Sequence, residues 1–100
     1  MRGSKISSYL GFARRAGKLT LGVNAVETIK SCHLLVADES LSQNSRKKIE
    51  KIRGRLNCPL AYCEGLGDMV GRTGCKLAAV RDENLARAII TAHSAKESEE

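Results

Sequence analysis

Four short strand-like runs, Lys18–Leu21, His33–Ala37, Pro59–Cys63 and Lys76–Val80, alternate with segments whose apolar residues recur every three or four positions. A brief apolar run bounded by turn residues suits a buried strand, whereas three-to-four spacing is the buried stripe of a helix. Ser4 is the expected cap of a first helix carrying Ile6, Tyr9, Leu10 and Ala13, with Gly17 as its stop. Asn24-Ala25-Val26-Glu27 reads as an Asx-capped start with Glu three residues on, opening a second helix toward Ile29. A third spans roughly Gln43 to Leu56 on the stripe Ile49, Ile52 and Leu56. Leu66 to Gly71 is a brief fourth, and Asp82 caps a last one carrying Leu85, Ala88, Ile89 and Ala92. The order αβαβαβαβα requires an α/β fold in which a sheet of mixed direction is sandwiched between helices.

A chain of 100 residues builds one core. Leu, Ile, Val and Phe make up 23 of those residues, just above the level at which a charged chain stays unfolded. The expected organisation is one domain over residues 1–95 and a frayed acidic tail over 96–100. No apolar run approaches a membrane span, and the first residues lack the apolar stretch of a signal peptide, so a cytoplasmic protein is expected.

Charge narrows the function classes. Lys and Arg number 17 against 11 acids, a net +6, and because the tail from Lys96 carries −2, residues 1–95 carry +8. A small domain with that imbalance attracts polyanions, nucleic acid first among them. Tyr9, Phe12 and Tyr62 are the sole aromatics, too few to stack successive bases of a single strand, so shape and backbone contacts are the expected mode. Cys32, Cys58, Cys63 and Cys75 form no Cys-x-x-Cys pair and, with His33 and His93, no recognised ligand spacing. Buried reduced thiols are expected over a zinc site, with no cofactor and no metal.

Gly65-x-Gly67-x-x-x-Gly71 offers the outline of a glycine-rich phosphate turn, but it lies two thirds along a chain too short to complete a dinucleotide unit. The carboxylates and both histidines are scattered and no Ser stands in a nucleophile elbow, so no enzyme and no small-molecule substrate are expected. Six basic residues against one acid fill the stretch from Arg46 to Arg55. It is either a phosphate track or the solvated face of an outer helix. A second basic group comprises Arg2, Lys5, Arg14, Arg15 and Lys18. Arg14 and Arg15 suit the C-terminal dipole of the first helix, whereas Lys18, beyond it, lacks that reason and is a candidate RNA contact.

Six pieces in collinear order over about residues 4–90 carry a family resemblance. They are Gly11-Phe12-Ala13-Arg14-Arg15-Ala16-Gly17-Lys18-Leu19; Gly22-x-Asn24-Ala25-Val26; Leu34-Leu35-Val36-Ala37 with Glu39 and Ser40; Asn44-x-x-Lys47-Lys48; Leu66-Gly67-x-x-Val70-Gly71; and Leu77-Ala78-Ala79-Val80. Together they resemble the bacterial YlxQ-like branch of the kink-turn-binding ribosomal proteins. The resemblance implies a three-layer α/β/α sandwich with a four-stranded mixed sheet and RNA binding by loops at one end of the sheet; a monomer is expected. It implies that Gly22, Val23 and Asn24 enter the widened major groove of a kinked stem and meet sheared G·A pairs. Glu39 and Ser40 would lie near the extruded nucleotide, and Arg72, Thr73 and Gly74 against the bulge.

The chain departs from the pattern of archaeal and eukaryotic members, which follow the Asn with Glu and place Lys four positions after it; here stand Ala25 and Thr28. The segment from the second helix to the central strand is also about two residues shorter than in the YlxQ-like pattern. Two readings of Asn24 compete: helix cap and reader of base edges. The function expected is a non-enzymatic RNA-binding protein, with ribosomal RNA among its possible partners, and the alternative is a protein-interaction module whose basic face keeps it in solution. On the RNA reading Lys18 matters more than Lys51, which is expected to lie off the footprint.

Overall fold

The computed structural model describes residues 4–98, and the side chains of residues 5–93; Arg2 of the second basic group lies outside them. The elements are α1 (Ser4–Arg15), β1 (Leu19–Leu21), α2 (Val23–Val26), β2 (Leu34–Asp38), α3 (Gln43–Leu56), β3 (Leu60–Cys63), α4 (Leu66–Val70), β4 (Leu77–Val80) and α5 (Glu83–Ser98). The strands form one sheet in the order β1-β4-β2-β3. β4 runs antiparallel to both β1 and β2, while β2 and β3 are parallel, so the sheet is mixed.

Two-residue periodicity divides the core. On β2, Leu34 and Val36 face the layer of α1, α4 and α5, with Ile6, Leu10, Leu66, Val70 and Ile89. Leu35 and Ala37 face the opposite layer, with Val26 of α2 and Ile49, Ile52 and Leu56 of α3. Every residue of β2 and β4 is buried, as a central strand covered on both faces requires. The result is the three-layer α/β/α sandwich with a four-stranded mixed sheet that the alternation and the resemblance led us to expect.

Local chemistry fixes most element ends. The Ser42 hydroxyl accepts from the Ser45 amide at 3.3 Å to open α3, and Asn57 closes it in the left-handed region at φ 53°. An Asp82 carboxylate oxygen accepts from the Leu85 amide at 2.9 Å, the expected cap of α5. Three expectations need correction. Ser4 is itself helical and does not stand before α1. The central strand begins at Leu34 and runs through Asp38, one residue later than read from the apolar run alone. The cap of α2 is Gly22, not Asn24: its φ of 93° and ψ of 147° suit only glycine, and no side chain caps the helix. The reason is non-local. The Gly22 amide is held by the Leu77 carbonyl at 2.8 Å, so the chain turns into the helix as soon as β1 leaves β4. At the far end α5 continues to Ser98, three residues into the segment read as a tail; Glu99 and Glu100 lie outside the described residues.

Candidate nucleic-acid interface

Strand direction decides which loops meet. Because β4 opposes its neighbours, the exits of β1 and β2 lie beside the start of β4, and the exit of parallel β3 lies beside that of β2. Hydrogen bonds stitch this end together: Gly22 amide to Leu77 carbonyl at 2.8 Å, Asp38 amide to Lys76 carbonyl at 3.0 Å, and Glu39 amide to Cys63 carbonyl at 2.9 Å. Gly22, Val23 and Asn24, then Glu39 and Ser40, then the loop of Arg72, Thr73 and Gly74 that leads into β4, therefore share one end of the sheet. Lys18 does not join them. Its carbonyl accepts from the Arg81 amide at 2.7 Å, beyond the other end of β1, about 13 Å of extended chain from Gly22.

Asp38 is the buried polar residue that organises this end. One carboxylate oxygen accepts from the Ser40 amide at 2.8 Å and the other from the Leu66 amide at 3.1 Å, tying the β2–α3 loop to the start of α4. Burial alone would raise its pKa. The bonds from the amide and side chain of Ser40, the bond from Leu66 and the Lys76 charge overcome that, and the carboxyl is held below its usual value. Lys76 in turn donates to the Ser40 hydroxyl at 2.8 Å. Arg46 completes the loop: it donates to the Glu39 carbonyl at 2.7 Å and the Leu41 carbonyl at 3.2 Å while its guanidinium lies 4.5 Å from the centroid of the Tyr62 ring.

The Arg72–Gly74 loop folds back over α4. The Arg72 amide donates to the Gly67 carbonyl at 2.9 Å, and a Cβ on Gly67 would come within 2.9 Å of the Arg72 carbonyl oxygen. Gly65 and Gly71 cap α4 in the left-handed region at φ 71° and 72°. The glycine pattern of this segment thus has backbone reasons that involve no phosphate.

α2 is a single turn, too short to hold itself. Gly22 sets its start, and Arg55 from α3 grips its end, donating to the carbonyls of Ile29 and Glu27 at 2.9 Å each and to that of Val26 at 3.5 Å. Asn24 is exposed on this fixed turn, and its side chain makes no hydrogen bond to any described residue. The Thr28 hydroxyl is turned back onto the Ala25 carbonyl at 2.7 Å. Asn24 is consequently the polar side chain of α2 left to face outward ahead of Glu27.

The basic run of α3 divides by direction. Arg46 and Arg55 serve carbonyls within the fold, whereas Lys47, Lys48 and Lys51, with Asn44 and Ile52, line an open groove of about 460 Å³ against Glu27 at the end of α2. Lys48 lies 3.7 Å from the Glu27 carboxylate. Lys51 therefore lines the same groove as Glu27. A helical wheel of α3 shows these lysines on one side, but only the packing of α2 beside α3 shows which neighbour that side faces.

Arg14 reaches the Val70 carbonyl and binds α1 to α4, and Arg15 lies 5.0 Å from the centroid of the Phe12 ring. Both arginines have local structural roles. All four cysteines are buried and free, and among the described residues no group of three His, Cys, Asp or Glu side chains is placed to hold a metal ion. No helix among those residues is long and apolar enough to cross a membrane.

No protein-family model matches the chain, and no curated protein matches it. Among solved structures it is similar to that of a protein with unknown function from Bacillus halodurans C, with a TM-score of 0.77 over 91% of this chain and 98% of that one, at 23% identity. That likeness extends over nearly the whole length of both chains, so the same sandwich exists as a separate solved structure; it speaks to the fold.

Proposed function

We propose that this chain is a non-enzymatic RNA-binding domain that takes a structured, kink-turn-like RNA at the end of the sheet where β1, β2 and β3 exit. The observation that carries the reading is Asn24. Its amide is exposed at the start of a turn whose both ends are fixed by other residues, and the capping role that competed for it belongs to Gly22. An Asn on a turn fixed in this way presents a carbonyl acceptor and an NH2 donor side by side, which suits a purine edge.

Supporting groups lie on either side. Arg72 is exposed on the loop next to β4, and Lys47, Lys48 and Lys51 line the α2–α3 groove; such cations suit phosphates of strands flanking a read base pair. Glu39 and Ser40 stand between them on a loop pinned by Asp38 and Arg46. The family resemblance supports the same surface. Lys18 leaves the footprint, because it lies at the opposite end of the sheet. The proposed setting is cytoplasmic, and ribosomal RNA, one source of such an RNA fold, agrees with the net positive charge.

Titration against a kink-turn RNA, the same RNA with its G·A pairs replaced, and a plain duplex of equal length tests the proposal. Tightest binding to the intact kink-turn is expected, with affinity falling as log salt rises by a slope of about −0.7 to −0.9 per neutralised phosphate. No binding to any of the three would turn the reading toward a protein-interaction module.

A further inference from the structure

Cys32 and Cys58 lie 26 positions apart in sequence, yet their sulfurs are 3.2 Å apart. Cys32 precedes β2 in the stretch that returns from α2, and Cys58 follows the left-handed Asn57 that closes α3. Neither residue is in a strand or helix. Closing the sulfurs to the disulfide length of about 2.05 Å asks for a shift of little more than 1 Å, and irregular backbone can supply it. The other two cysteines belong to the opposite layer of the core, and Cys75 donates to the Leu77 carbonyl at 3.3 Å.

We propose that Cys32 and Cys58 are a redox modification site: a dithiol that a peroxide converts to an intramolecular disulfide, stapling the α2–β2 connection to the end of α3. One thiol loses its proton and the thiolate attacks a peroxide oxygen, breaking the O–O bond to give a sulfenic acid and hydroxide. The second thiol likewise loses its proton and attacks that sulfur, displacing hydroxide, and the two thiol protons convert both hydroxides to water. Overall, two thiols are oxidised, one peroxide is reduced, and one S–S bond forms. Excess dithiol reductant reverses the reaction by exchange.

Placement sets its consequence. The bridge would close the chain between residues 32 and 58, beside the three carbonyls that Arg55 already holds, and so restrain the end of the turn that presents Asn24. Burial, and then the neighbouring Cys32 thiol, push the Cys58 thiol up to about 12. Cys58 therefore holds little thiolate near neutral pH, and its attack on the Cys32 sulfenic acid quickens as pH rises. The inference rests on the cysteine geometry and is independent of what the sheet end binds.

The test exposes the folded, reduced chain to hydrogen peroxide, blocks residual thiols with an alkylating agent, and maps peptides without reduction. The expected product is a monomer lacking two hydrogens, with the Cys32 and Cys58 peptides joined and Cys63 and Cys75 alkylated. Its melting temperature should rise by about 10 °C over the reduced chain and fall back with dithiothreitol. Two results would overturn the proposal: Cys32 and Cys58 both recovered alkylated after peroxide oxidises other residues, or sulfinic and sulfonic acids at these positions with no linked peptide. Cys58→Ala, measured by intact mass, should stop at a reversible Cys32 sulfenic acid; a disulfide formed equally well by this variant would place the bridge elsewhere.

Discussion

Replacing Asp38 by Asn probes the group that ties the loops of the candidate interface together. The carboxylate receives two backbone amides, Ser40 at one oxygen and Leu66 at the other. A carboxamide has a single oxygen, so one amide must then face another donor. A hydrogen bond to a charged group contributes about 1.5–3 kcal/mol, and an orphaned buried amide costs a similar amount. Asp38→Asn should therefore lose about 2–3 kcal/mol at neutral pH, or about 10–20 °C in a domain of this size. Because the folded pKa lies below the unfolded one, the Asp38 contribution is complete above the ordinary carboxylate value of about 3.9 and disappears as pH falls through the lower folded value. Urea melts of both chains from about pH 7 to about pH 3 should show a constant gap down to about pH 5 that narrows below about pH 4. A gap under about 0.5 kcal/mol at neutral pH, or one that widens as pH falls, would refute the assignment.

Gly22→Ala should cost about 1–3 kcal/mol in a thermal melt, since φ 93° with ψ 147° is closed to a residue bearing Cβ although nothing crowds the site. Arg55→Lys keeps the charge but cannot bridge three carbonyls, so hydrogen exchange of the Val26 and Glu27 amides should quicken several-fold while α3 stays protected. Charge reversal should weaken kink-turn binding more at Lys47 or Lys51 than at Lys18, the opposite of the ranking expected from the sequence; fluorescence anisotropy with the three Lys→Glu variants checks it.

What the sequence discloses depends on the range of the interaction responsible. α3 was legible as a helix from roughly Gln43 to Leu56, because its apolar stripe is a local pattern. The four strands were placed to within a residue, and their alternation with helices was enough to define the sandwich. The misreading of Asn24 as a cap also came from a local pattern: the Asn-to-Glu spacing is a valid signal, but the hydrogen bond from Gly22 to Leu77 starts the helix two residues earlier. Lys18 looked like a candidate contact because the helix dipole that accounts for Arg14 and Arg15 does not extend to it, yet three residues of strand put it and Gly22 at opposite ends of the sheet. Asp38 lies just past the apolar run that ends at Ala37, and no pattern marks the Leu66 amide, 28 positions on, as its partner. The groove beside α2 was equally hidden, since the wheel of α3 carries its lysines without naming what they face.

The most direct test of the RNA reading is Asn24→Asp, read out by melting and by preference for intact G·A pairs in the same preparation. Asn24 caps nothing and bonds to no described residue, so the variant should melt within about 0.5 kcal/mol of the parent chain. Asp lacks the amide donor and adds a negative charge toward the RNA, so about 1–3 kcal/mol of discrimination between the intact kink-turn and its G·A-replaced form should be lost. A variant that melts normally and still prefers the intact kink-turn as strongly as the parent would contradict the account at its most specific residue.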